Sequence, residues 1–245
     1  MTDFANILLS GPCNLSCPHC IGKRWPARWP DNLGRFPLAG LASFLEEARR
    51  RGIGEISLTG VNTEPMLYAH QGELLRALRT GVPGVRISLH TNGTRIFREP
   101  ELFNAYDRAT VSLPSFRPQT CLAMTGRREA LDLPAILAVA RIPVKISTLV
   151  TAENRAEIPE ILAACRRLGV RRLVLRKLYG DARTFDFFPD RAPVRCFAAN
   201  PVYDLDGLEV TVWDFDRTRL ECLNLWSDGT IDTTYQLEEG TRGRR

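Results

Sequence analysis

Short apolar, β-branched runs alternate along the chain with stretches whose apolar residues recur at helical spacing. The runs occupy residues 5–10, 55–59, 85–90, 109–113, 144–150 and 172–178. Each is of strand length and mostly apolar, the pattern of parallel strands covered on both faces. Between them, residues 38–51 carry Leu41, Phe44, Leu45 and Ala48 on one helical face, and residues 72–79 carry Leu74, Leu75 and Leu78. Residues 131–140 and 158–168 repeat that spacing, the latter stopping at Gly169, which suits a C-cap. Six strand-then-helix units predict right-handed crossovers and a parallel sheet, open or closed into a partial barrel.

Beyond the sixth run the character changes. Residues 185–206 are rich in Phe, Pro and Asp and read as a long irregular connection. Residues 208–213, 221–226 and 230–236 read as antiparallel strands, with Ser227-Asp228-Gly229 turning between the last two. The tail from Glu238 reads as disordered.

Composition narrows the class. With 44% hydrophobic and 25% charged residues, the chain has an ordinary globular balance. A net charge of +5 favours an anionic small molecule or an acidic peptide as partner. The basic run at the C-terminus, Arg242-Gly243-Arg244-Arg245, is short, and the charge is only weak evidence for nucleic acid. The first apolar stretch, residues 5–9, lacks the basic leader of an export signal. Nothing approaches the ~18 apolar residues of a membrane span. Seven cysteines without an export signal point to metal ligands or reduced thiols, and so to the cytoplasm.

The strongest local signal is Cys13, Cys17 and Cys20 in a C-x₃-C-x₂-C loop directly after the first run. Strand C-termini are where parallel α/β folds build sites. Three thiolates can hold three irons of a cubane and leave the fourth without a protein ligand, whereas clusters that only carry electrons normally have four. An open metal position marks a site that binds substrate or cofactor. The competing reading is zinc, which needs a fourth ligand. His19, between two ligating cysteines, supplies it poorly, and Cys121, Cys165, Cys196 or Cys222 would reach only through long-range folding.

This loop resembles the signature of the radical S-adenosylmethionine (SAM) superfamily, and over residues 4–180 the pattern is nearest to the molybdenum-cofactor cyclase branch. In that superfamily SAM chelates the open iron of a [4Fe–4S] cluster. Reductive cleavage then yields a 5′-deoxyadenosyl radical that abstracts hydrogen from the substrate. The resemblance implies that His19 lies near the adenine. Thr59-Gly60-Val61-Asn62-Thr63-Glu64-Pro65 is similar to the T-G-G-E-P stretch that binds the SAM amino group. It departs by two extra residues between Gly60 and Glu64, so that Asn62 or Thr63 shares the role. His90-Thr91-Asn92-Gly93 resembles T-T-N-G, and Val111-Ser112-Leu113-Pro114-Ser115 resembles V-S-L-D-S, whose first serine helps bind SAM. Met124-Thr125-Gly126-Arg127 resembles I-T-G-R, and Pro143-Val144-Lys145 resembles P-V-K, whose lysine faces the substrate. Tyr179 stands where the family places a SAM contact.

The resemblance therefore implies an α/β fold: a partial (β/α)6 TIM-like barrel over residues 1–184 and a short C-terminal antiparallel β extension over 185–245. The cyclase's second cluster and terminal glycines have no counterpart here, which implies one cluster and a different reaction. Cys121, shortly after the fourth run, is a candidate hydrogen-atom donor, as are Cys196 and Cys222 in the tail. Against each stands the plain reading of a small buried hydrophobe, which also suits Cys165. Lys145 is the candidate substrate-facing residue. The loop with Lys23, Arg24, Trp25, Pro26, Arg28, Trp29 and Pro30 could shield the cluster or contact substrate. The expected partners are a small-molecule or peptide substrate and a flavodoxin- or ferredoxin-like electron donor. The alternatives are an activase for a glycyl-radical enzyme and a non-catalytic iron–sulfur or zinc protein.

Overall fold

The computed structural model describes residues 4–24, 29–181, 183, 186–218 and 220–235. Six strands follow the six apolar runs to within one residue: β1 (Phe4–Leu9), β2 (Glu55–Gly60), β3 (Arg86–Thr91), β4 (Arg108–Ser112), β5 (Val144–Val150) and β6 (Arg172–Lys177). All neighbours among them are parallel. The connecting helices are α1 (Leu41–Arg50), α2 (Gln71–Gly81), α3 (Pro100–Phe103), α4 (Pro118–Thr125), α5 (Leu133–Val139) and α6 (Ile158–Arg167). Gly169 ends α6 as expected: at φ 70° it lets the Val170 N–H reach the Cys165 carbonyl at 2.9 Å. Helix α4 was not anticipated, because its apolar residues form no stripe: Cys121 and Met124 are buried while Leu122 is exposed.

The two faces of the sheet differ, which corrects the expectation of strands apolar on both. Outward residues such as Ile7, Ile56, Leu58, Ile87, Leu89, Val111 and Leu173 form the core beneath the helices. The residues that alternate with them, among them Asn6, Ser57, Ser88, His90, Thr110, Lys145 and Arg176, line an internal cavity. The barrel is thus packed outside, while its interior carries polar and charged side chains among apolar ones.

The C-terminal extension holds more order than expected. Residues 185–206 contain β7 (Arg195–Phe197) and β8 (Asn200–Leu205), the latter disguised by Pro201 within the run. β7, β8 and β9 (Leu208–Trp213) are antiparallel in sequence, as are β10 (Cys222–Leu225) and β11 (Ile231–Asp232). Gln236 and the tail from Glu238 lie outside the described residues. What local pattern did not disclose is where these strands go. β9 pairs in parallel with β6 and β10 in parallel with β1, giving one sheet of order β11-β10-β1-β2-β3-β4-β5-β6-β9-β8-β7. β9 and β10, consecutive in the chain, lie on opposite flanks of the sheet, and Phe215 and Leu220 between them line the cavity. Asn224 anchors the second flank: its Oδ1 accepts from Asn6 Nδ2 at 3.0 Å and its Nδ2 donates to Asp232 at 2.7 Å.

Candidate active site

The polar strand faces and the loops at their C-terminal ends enclose a cavity of 1830 Å³. It exceeds the roughly 300–1,000 Å³ usual for a small-molecule site. Cys13, Cys17 and Cys20 line it from the loop after β1, and Gly60, Asn62, Thr63 and Glu64 from the loop after β2. Thr91 and Asn92 contribute from the end of β3, Ser112 from β4, Lys145 from β5 and Tyr179 from beyond β6. The structure therefore brings these sequence-predicted residues to one space. Cys121 is not among its lining residues: it sits on α4, buried, with its thiol donating to the Ser115 carbonyl at 3.3 Å. Cys196 and Cys222 are also absent from the lining.

The cysteine loop is tied to the neighbouring strand ends on three sides. Asn62 Oδ1 accepts from Ser10 Oγ at 3.0 Å and from the Gly11 N–H at 3.1 Å, and Thr63 Oγ1 donates to the Pro12 carbonyl at 2.6 Å. Asn14 reaches the β3 turn, donating to Thr94 Oγ1 at 2.6 Å and accepting from Asn92 Nδ2 at 2.9 Å. On the third side the Ser16 N–H donates to the Thr125 carbonyl at 2.9 Å. There Gly126, at φ 78°, lies so close to Ser16 that a Cβ would collide with the Ser16 hydroxyl. Lys23 Nζ folds back to the Ser16 carbonyl at 3.0 Å. Trp25, Pro26 and Arg28 of the basic-aromatic loop lie outside the described residues, while Trp29 stacks on Trp226 at 4.3 Å.

Glu64 is almost wholly buried, at 2% exposure. Its carboxylate accepts from Thr91 Oγ1 at 2.5 Å, the Asn92 N–H at 2.7 Å and the Met66 N–H at 3.2 Å. Burial pushes the carboxyl pKa up, and these three donors oppose the shift. Glu64 thus joins the chain leaving β2 to the chain leaving β3. Just before Glu64 the backbone leaving β2 turns back sharply, since a Cβ on Gly60 would overlap the Thr63 carbonyl.

Among the described residues no three His, Cys, Asp or Glu side chains converge to hold a single metal. Cys13 is exposed, and Cys17 and Cys20 are half-buried. Burial raises the Cys13 and Cys17 pKa values, and the charge of neighbouring cysteines adds to the effect. A tetrahedral zinc ion would gather its sulfurs to about 2.3 Å from one centre. A cubane takes one thiolate on each of three irons and so accepts a wider triangle. His19 lines the cavity with Nε2 3.6 Å from Glu153, a partner other than the cysteines.

Deeper in the barrel the lining is cationic: Lys145 was readable in sequence as projecting inward, where it could meet a phosphate or carboxylate or pair with an acid, while Arg108, Arg172 and Arg176 were missed. Arg108 pairs with Glu55, and Arg172 pairs with Glu209 at 3.0 Å. Lys145 has its pKa lowered to about 7, by burial first and then by Arg176, Arg172 and Arg108, with Glu209 opposing. His90 is held well below the usual imidazole range by burial and by the charges of Arg176 and Lys145. It is therefore neutral near pH 7.

Comparison with known proteins follows the same outline. The family model of the radical SAM superfamily matches residues 7–165. The GTP 3′,8-cyclase of Streptomyces coelicolor is 32% identical over 172 residues, 66% of this chain and 49% of the cyclase. That of Mycobacterium marinum is 32% identical over 192 residues, 74% of this chain and 51% of the cyclase. The chain spans about half the length of these curated relatives. Among solved structures, SuiB of Streptococcus suis bound to S-adenosylmethionine aligns with a TM-score of 0.57 at 18% identity, over 74% of this chain and 42% of SuiB. A structure of anSMEcpe with bound AdoMet aligns with a TM-score of 0.54 at 14% identity, over 76% of this chain and 55% of that one. At these identities the structural likeness establishes the fold, a TIM-like barrel.

Proposed function

The chain belongs to the radical SAM superfamily, and we propose that it cleaves SAM reductively at a [4Fe–4S] cluster on Cys13, Cys17 and Cys20 and abstracts hydrogen from a small-metabolite or peptide substrate. The observation that carries this reading is the meeting of all three cysteines with the ends of β2, β3, β4 and β6 around one cavity. When bound, the cluster and SAM supply the electron transfer and the hydrogen-atom abstraction that follows. The protein's part is position and exclusion.

The exposed Cys13 leaves the cysteine loop reachable by an external flavodoxin- or ferredoxin-like donor. The tight Gly60–Thr63 backbone, with Asn62, Thr63 and Asn92 beside it, would hold the amino-acid end of SAM, while Glu64 keeps that loop in shape. Ser112 is exposed to the cavity, and Tyr179 lines it beyond β6. Both would contact the remainder of SAM. Lys145 would face the substrate. All seven cysteines are free, as a reducing cytoplasm would keep them, and no helix among the described residues is long and apolar enough to cross a membrane.

The test is anaerobic. Protein reconstituted with iron and sulfide receives dithionite and SAM, and 5′-deoxyadenosine is measured beside a Cys13/Cys17/Cys20→Ala control. Product that depends on the three cysteines supports the reading. A protein that binds neither iron nor SAM overturns it and favours zinc.

A further inference from the structure

Two cations in the cavity stand outside its ion pairs. Arg108 has Glu55, while Arg172 and Arg195 share Glu209. Among the described residues Arg176 and Lys145 enter no ion pair, and Arg176 Nε is buried without a hydrogen-bond partner. Arg176 is half-buried in the cavity wall with its Nε shut off from solvent, and a polar group buried without a partner is unfavourable. A fold that keeps one there gains nothing in stability from it.

The surroundings indicate what would complete the site. On β6, Arg176 lies between Leu149 of β5 and Trp213 of β9. Its guanidinium carbon is 5.9 Å from the centre of the ring of Phe215, which lies in the chain between β9 and β10. Tyr235 lines the same space from the end of the described chain. Aromatic rings beside a guanidinium support its plane and leave N–H edges for a forked contact with an oxyanion. Lys145 faces the same interior from β5, and His90, neutral between these charges, adds hydrogen-bonding capacity rather than a third charge.

We propose that Arg176, backed by Phe215 and Tyr235 and assisted by Lys145, forms a binding subsite for an oxyanion, a carboxylate or phosphate carried by the substrate. That the oxyanion belongs to a substrate rests on the function proposed above; that the subsite binds one does not. Lys145 lies within the family match, which ends at residue 165, whereas Arg176, Phe215 and Tyr235 lie beyond it.

The experiment titrates inorganic phosphate and succinate separately into the reconstituted full chain in chloride buffer, reading heat and melting temperature. Saturable binding of either supports the subsite, and the tighter of the two identifies phosphate or carboxylate as the source. Arg176→Gln is expected to weaken that binding by at least tenfold and Lys145→Met to weaken it less. Arg176→Lys, which keeps charge but loses the fork, should fall between Arg176→Gln and the wild type. Arg176→Gln should also raise the melting temperature of the ligand-free protein, a change that a merely structural arginine would not produce. Iron content and SAM affinity should stay at wild-type values. Absence of saturable binding to the wild type, or unchanged affinity in Arg176→Gln, would overturn the proposal. Intact oxyanion binding in a protein that takes up neither iron nor SAM would sink the proposed function and leave the subsite standing.

Discussion

The Glu64 carboxylate and the Asn92 backbone N–H are joined by a 2.7 Å hydrogen bond, which fastens the loop after β2 to the turn after β3. Thr91 and Met66 supply two further donors to the same carboxylate. Glutamine at this position would present an amide donor where only acceptors serve, leaving a buried N–H unsatisfied at a cost of about 1–3 kcal/mol. Glu64→Gln is therefore expected to lose that much stability in metal-free protein, measured by urea denaturation. Wild-type stability in this variant would deny Glu64 its role as a strut.

The three loop cysteines and the buried ones should separate cleanly. Alanine at Cys13, Cys17 or Cys20 is expected to lower bound iron and the visible absorbance of reconstituted protein. Cys121→Ala should leave both intact, because its thiol is engaged with Ser115 outside the cavity lining. Iron retained by the first three variants, with zinc found in protein as purified, would remove the cluster assignment.

Much of this site was legible in sequence because its parts are local. The cysteine spacing and the residues just past β2, β3 and β4 sit at ends of strands whose apolar halves declare themselves. Two features were not legible. Apart from Lys145, the charged interior was masked by reading 172–178 as an apolar run, although Arg172 and Arg176 alternate with core residues. The parallel docking of β9 and β10 rests on pairings such as Asn6 with Asn224, separated by 218 positions, which no local pattern encodes. Cys121 illustrates the same limit. Its position after β4 was readable, but the inward roll of α4 that turns its thiol to Ser115 is decided by packing.

Gly126 should prove indispensable to the cysteine loop. Alanine there faces both a left-handed φ of 78° and the Ser16 hydroxyl. The backbone part alone is worth about 1–2 kcal/mol. Gly126→Ala is expected to lose more than this in denaturant melts and to bind less iron. Adding Ser16→Ala, which removes the hydroxyl, should recover part of the loss. A double variant no better than the single one would locate the whole cost in the backbone and refute the contact with Ser16.

Lys145 should leave a signature in the pH dependence of stability. An unfolded chain keeps this proton to the usual lysine range near 10.5, whereas the folded chain releases it at about 7. Between those values the unfolded state binds more protons, so this residue makes stability rise with pH, and below about 7 the full burial penalty persists. The groups that set the shift are Arg108 on β4 and Arg172 and Arg176 on β6, with Glu209 on β9 opposing them. His90 on β3 is neutral through the same range. Lys145→Met removes this titration while leaving the other groups to cancel in the difference. Its melting temperature relative to wild type should stand highest near pH 6 and fall steadily by about pH 9. A difference that does not change with pH would mean that folding leaves the Lys145 proton as freely held as in solvent.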